Sequence, residues 1–207
     1  GADQRVHVFV QGSLLLPNIW QDGFESGDLS SWTVHESCFE IRTDRVRSGS
    51  YSAGCTGNPN TVMAEATPSA LQGGGQPGYI EYAAQEDSSS IGHAVAFMDS
   101  AGGWVLGIGT SNPDFEVEDG DGYTTPGGGS YGTWFLHKIT FDWAAGTYDL
   151  EIVDEDGNNN GTTLTGRALG GTDIEKIVIR NYHQDALNQN FDGDGFYGWF
   201  DDFFVKV

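Results

Sequence analysis

Lysine is nearly missing from this chain: Lys138, Lys176 and Lys206 are the three in 207 residues. Lysine and arginine together number 9 against 30 aspartates and glutamates, a formal charge of -21. That balance excludes a nucleic-acid binder, because counterion release needs clustered cations. It works equally against docking on an anionic membrane. No apolar run reaches the roughly 18 residues of a bilayer-spanning helix, so no membrane insertion is expected. Cysteine is also scarce. Cys38 and Cys55 are the two present, with no CxxC partner and no histidine cluster beside them, which argues against zinc. The segment between them reads as two alternating strands around a turn, which brings the sulfurs opposite one another. A Cys38–Cys55 disulfide is therefore expected over two buried free thiols, and with it an extracytoplasmic location. The chain opens at Gly1 without an apolar leader, which fits a processed protein or an excised domain.

What is abundant points to a folded sheet protein. Phe 12, Tyr 8 and Trp 6 give an aromatic content of 13%, well above that of acidic disordered segments. Glycine, at 31 residues, is scattered rather than periodic, which excludes collagen and implies many tight turns. The acidic, lysine-poor composition resembles that of proteins from extreme halophiles, where short screening lengths in brine relieve self-repulsion. Salt adaptation is the expectation that follows.

Short apolar runs recur at 79–84, 93–98, 104–109, 134–143, 148–153, 174–181 and 198–207, separated by turn residues. No window of three helical turns is present, and 67–71 forms at most one short turn. The stretch 134–157 reads as strand, tight turn, strand, turn, an antiparallel hairpin inside a meander. Many such strands without helices predict an all-β antiparallel sandwich, a jelly roll of about a dozen strands. Residues 22–207 make up this unit. Residues 1–21 form an N-terminal extension in which Val6, Val8 and Val10 alternate on one strand face ahead of Leu14, Leu15 and Leu16. That strand has two open placements: the edge of its own sheet, or a neighbouring subunit reached by strand addition.

Four segments together carry a resemblance. They are Asp22-Gly-Phe-Glu-Ser-Gly-Asp-Leu-Ser-Ser-Trp32, Ser48-Gly-Ser-Tyr-Ser52, the hairpin 134–157, and Phe200-Asp-Asp-Phe-Phe-Val205. In this order they resemble concanavalin A-like and carbohydrate-binding-module jelly rolls of extracellular, haloarchaeal-type proteins. The resemblance implies a structural calcium held by Glu25 and by Asp201 or Asp202, with carbonyls near Ser48 or Ser50. Parity agrees: if Phe203, Val205 and Val207 face the core, Asp201 shares their side and needs a cation or several donors. The alternative is that Asp201 and Asp202 cap the strand and face solvent. Asp-x-Asp-Gly also recurs at 119–122, 154–157 and 192–195, each read as a turn rather than a calcium loop.

Glucanases on this fold place acids at i, i+2 and i+4 of one strand. Here Glu116 and Glu118 are followed by Gly120, and Asp149 and Glu151 by Val153, so the third acid is missing. The expectation is therefore a chain that is not an enzyme. Sugar stacking needs aromatic faces near polar side chains, for which Trp104, Tyr123, Tyr131, Trp134, Tyr182 and His183 are the candidates, with Phe115 beside them. The glycine-rich 126–130 reads as a mobile loop between Tyr123 and Tyr131.

The reading is a non-catalytic, calcium-stabilised, salt-adapted lectin-like module that binds glycans and is extracellular or surface-exposed. The first alternative is a structural subunit of a filament or virion surface assembled with copies of itself. The second is a glycoside hydrolase using Glu116.

Overall fold

The structure, a computed structural model, describes residues 19–57, 62–86, 92–111, 114–158, 162–182 and 196–207. Val6, Val8, Val10 and Leu14–Leu16, His183 and the 192–195 turn lie outside the described residues.

Fifteen strands and no helix occur among the described residues. The first five are β1 (Ile19–Asp22), β2 (Thr33–Val34), β3 (Phe39–Arg42), β4 (Ser52–Gly57) and β5 (Val62–Ala66). They are followed by β6 (Tyr79–Glu86), β7 (Gly92–Met98), β8 (Trp104–Ser111), β9 (Asp114–Asp119) and β10 (Gly122–Gly128). The chain ends with β11 (Trp134–Asp142), β12 (Thr147–Asp154), β13 (Thr163–Ala168), β14 (Lys176–Tyr182) and β15 (Phe196–Lys206). Every strand pair is antiparallel. One sheet has the order β13-β12-β11-β6-β15-β4-β3, and the other β10-β9-β8-β7-β14-β5-β2. The strand β1 lies beside the C-terminal half of β15, pairing Ile19 with Lys206 and Asp22 with Phe203. The strand β1 thus takes in Ile19, Trp20 and Gln21 from the segment read as an extension.

Alternation decides which side chains meet between the sheets. Ile80, Tyr82 and Ala84 of β6, Ile139 and Phe141 of β11, and Ile177 and Ile179 of β14 point inward and are buried. The opening and closing segments join in this core, with Phe24 edge-on to Phe203 at 6.3 Å and Trp32 edge-on to Phe203 at 5.1 Å. Cys38 and Cys55 form the expected disulfide, fastening β3 to β4 where Phe39 faces Cys55.

Two local readings change. The segment 126–130, read as a loop, supplies the end of β10, an edge strand whose register shifts between Thr124 and Gly127. Pro126 sits in that irregularity, where its missing N–H costs no ladder bond. In β15 the register with β6 shifts between Asp201 and Phe204, and Asp202 takes a positive φ of 52°. The extra residue reverses the parity. Phe200, Phe203 and Val205 face the core, whereas Asp201 turns outward beside Ala83.

An ion pair ties the sheets together at one end. Arg167 of β13 grips Asp119 of β9 through Nε (2.9 Å) and Nη2 (2.8 Å), and the Tyr148 hydroxyl of β12 donates to the same carboxylate at 2.5 Å. The 119–122 stretch is therefore a turn, as expected, and its first aspartate is also a clamp.

Candidate functional site: the groove on the eight-stranded sheet

The outward face of the eight-stranded sheet carries a polar row set by strand register. Glu151, Lys138, Glu81 and Phe204 stand side by side on β12, β11, β6 and β15. Lys138 donates to Glu151 at 3.1 Å, and the Tyr79 hydroxyl donates to Glu81. Burial and the neighbouring carboxylate raise the Tyr79 pKa well above its ordinary value, so this phenol keeps its proton. Tyr79 and Phe204 meet edge to face at 6.5 Å. Beside them opens a groove of about 640 Å³ lined by Gln21, Ser26, Ser30, Arg47, Glu81 and Phe204, among others.

The wall of this groove is the cluster expected to hold calcium, and the structure brings Glu25, Ser48, Ser50, Asp201 and Asp202 together. Phe24, held at φ 59° with its N–H donated to Asp22, aims the next residue, Glu25, at the 48–51 turn. Glu25 accepts the N–H groups of Ser50 and Tyr51 at 3.0 Å each. A side chain on Gly49 (φ 68°) would collide with that carboxylate, so both the backbone and the space require glycine there. Asp201 is fully buried and accepts N–H from Arg47 and Ser48 at 3.1 Å each, while its other oxygen accepts the Asp202 N–H at 2.8 Å. Burial pushes the Asp201 pKa up to about 6, against the pull of those amides. Asp202 takes the Arg47 guanidinium and the Ser48 hydroxyl at 2.7 Å each.

These carboxylates are met by donors of the protein itself. The carboxylate oxygens face N–H groups and a guanidinium, which supply the positive charge a cation would bring. Among the described residues no three His, Cys, Asp or Glu side chains form a metal-holding group. Chelation is accordingly expected to leave the melting temperature within about 2 °C of its starting value. A drop of roughly 5 °C or more in excess EDTA, reversed by calcium, would contradict this assignment; on the usual scale it equals about 2 kcal/mol.

The sequence-predicted aromatics among the described residues fall on both sheets. Trp134 is buried at 5% exposure on β11, so it offers no stacking face. Trp104 is half-buried on the other sheet, its ring over Gly107 with the Arg180 guanidinium 5.0 Å from it. Tyr123 and Tyr131 are exposed, on β10 and on the turn that follows it. Tyr182 ends β14, and Phe115 is in the core. Glu116 is buried on β9 and Glu118 exposed, both away from the groove. Sequence reasoning passed over Tyr79, Glu81, Lys138 and Phe204. Period-two alternation puts the first two on one face, but nothing in the sequence aligns Glu81 with Lys138 and Phe204, 57 and 123 positions away.

No protein-family profile matches the chain. It is 26% identical over 168 residues to a viral protein, Structural protein 27 (isolate Australia/Victoria), a match covering 75% of this chain and 32% of that protein. The chain thus spans about a third of the length of this relative. Among solved structures, a sialidase aligns with a TM-score of 0.63 at 11% identity, over 91% of this chain and 18% of that one. An endo-β-1,4-glucuronan lyase from Trichoderma reesei aligns at 0.59 with 14% identity, over 91% and 94%. The alginate lyase Aly36B aligns at 0.51 with 11% identity, over 93% and 98%. The fold is an all-β antiparallel jelly-roll sandwich, shared with these solved structures. These neighbours correct one expectation. The missing third acid of the glucanase pattern was taken to exclude catalysis, yet polysaccharide lyases are built on this same sandwich, so that one pattern does not decide the matter.

Proposed function

We propose that this chain is a surface-exposed structural protein that holds neutral polysaccharide along the groove beside the Tyr79–Phe204 pair. The observation that carries the reading is the groove itself. Phe204, with Tyr79 edge-on against it, gives the groove an aromatic side for the C–H faces of a pyranose, beside Gln21, Ser26, Ser30 and Glu81, whose polar groups suit sugar hydroxyls. Charge selects the ligand class. Arg47 and Lys138 are already matched by Asp202 and Glu151, in a chain of net charge -21, so a uronate meets carboxylates rather than unmatched cations. The disulfide and the viral structural relative support an extracellular or virion-surface setting. The acidic, lysine-poor surface supports work in brine.

Affinity electrophoresis or calorimetry in molar salt tests this with neutral glucans and mannans set beside uronans. Neutral polymers are expected to bind, and Phe204→Ala to weaken them by about ten-fold or more, the loss of roughly one aromatic contact. Product release is followed in the same samples. Tighter binding of uronans, or full binding by Phe204→Ala, would overturn the reading.

A further inference from the structure

A second polar site lies inside the sandwich, at the end away from the Arg47 cluster. Glu86 of β6, His93 of β7, Thr110 of β8 and His137 of β11 converge on a small cavity of about 10 Å³, roughly the space of one water. All four are buried, at 6%, 3%, 6% and 2% exposure. Neither Glu86 carboxyl oxygen nor His137 Nδ1 makes a well-formed hydrogen bond, and the Thr110 hydroxyl lies near Glu86, with Oγ1 3.4 Å from His93 Nδ1. The imidazole of His137 stacks on Tyr82 at 4.5 Å, and that of His93 lies edge-on to Phe200 at 4.9 Å. Buried polar groups left without partners carry a cost that a fold retains only for a reason.

The lid of this cavity is the 129–133 turn. Gly129 and Ser130 line it, and a side chain at Gly129 would press on Phe115 and Phe135. The turn is tied to the strand that carries Glu86: Gly132 N–H donates to the Glu86 carbonyl at 2.6 Å, and Gln85 Nε2 to the Gly132 carbonyl at 2.7 Å. We propose that the Glu86–His93–His137 cavity is an acid-operated latch, in which protonation of the imidazoles expels the 129–133 turn and exposes this end of the sandwich.

The charge balance follows from what faces the cavity. Of the described side chains, β6 presents Glu86 and Tyr82, β7 His93, β11 His137 and the turn Tyr131, which also feels Asp114 of β9; β8 and β15 contribute Thr110 and Phe200, which carry no charge. Burial lowers both imidazoles to about 3, with mutual repulsion adding to the effect at His137. Burial raises Glu86 to about 7, with the Thr110 hydroxyl acting the other way. The signs oppose. The open state gains protons on two imidazoles as pH falls below their ordinary value, which favours opening. The closed state keeps a proton on Glu86 that the open state releases, which favours closure at mildly acid pH. The imidazoles win because there are two of them and their shift is larger.

The test is amide exchange at Gly132 and Thr133, corrected for intrinsic rates, with the β14 amides as a monitor of global unfolding. Linkage gives an about ten-fold rise in the open population from pH 8 to pH 5 and several hundred-fold at pH 4. Glu86→Gln removes the counterweight, and the rise at pH 5 grows to about a thousand-fold. His93→Gln/His137→Gln is expected to abolish it. Should the double variant not fold, the imidazole resonances of the wild type decide: they shift together with loss of amide protection. Protection unchanged down to pH 4, opening undiminished in the double variant, or imidazoles titrating near their ordinary value behind protected amides would each overturn the latch.

Discussion

Arg167→Met is expected to destabilise the fold by about 3–5 kcal/mol, the cost of leaving a buried charge without its partner. Asp119 has no exposed side-chain surface, whereas the guanidinium keeps 24% of its own. Removing the arginine therefore leaves a buried carboxylate without its cation, with the Tyr148 hydroxyl and the Asp121 N–H as its remaining donors. For a chain of this size the loss equals a fall in melting temperature of about 6–20 °C. Asp119→Asn in the same background is expected to recover a good part of it, because the amide carries no charge to be stranded. Thermal and urea unfolding of the two single variants and the double variant form the cycle that isolates the pair. Additive losses would show that the bidentate geometry carries no coupling and that the two sheets are held here by packing alone.

The second large effect is expected at Phe203. It is 1% exposed and touches Phe24, Trp32 and stacked Tyr82, joining the first and last segments of the sandwich. Truncation to alanine removes a buried ring and leaves a cavity, worth about 3–5 kcal/mol. The adjacent Phe204→Ala provides the control, since Phe204 stands on the opposite face and is partly exposed. Its stability loss is expected to be the smaller of the two by at least about 1 kcal/mol, as for a half-buried ring. Equal losses in urea unfolding would contradict the placement of these two rings on opposite faces.

Phe203 and Phe204 also show how far the sequence could be read. Alternation in 79–84, 134–143 and 148–153 is a local property, and it gave strands where strands are found. The Cys38–Cys55 pairing followed from two short strands around one turn. The meeting of the Phe24 segment with the Phe203 strand came through the resemblance to known jelly rolls. The bulge at Asp201–Phe204 was not legible. A single extra residue reverses every face beyond it, and the outward-turned Asp201 meets N–H groups that Arg47 and Ser48 offer from 153 and more residues away. The same limit hid the groove. Tyr79, Glu81, Lys138 and Phe204 are ordinary strand residues until pairing sets them side by side, whereas the conspicuous Trp134 is packed away by that same pairing. Calcium came through the resemblance to known jelly rolls; the amides and the guanidinium that meet these carboxylates belong to a turn whose conformation the sequence did not specify.

Mapping of a bound neutral polysaccharide by amide and side-chain chemical shifts in molar salt tests the functional account most directly. The perturbations are expected to cluster on Gln21, Ser30, Tyr79, Glu81 and Phe204, and to leave Tyr123 and Tyr131 unmoved. Shifts centred on Tyr123 and Tyr131, with the groove residues silent, would contradict it.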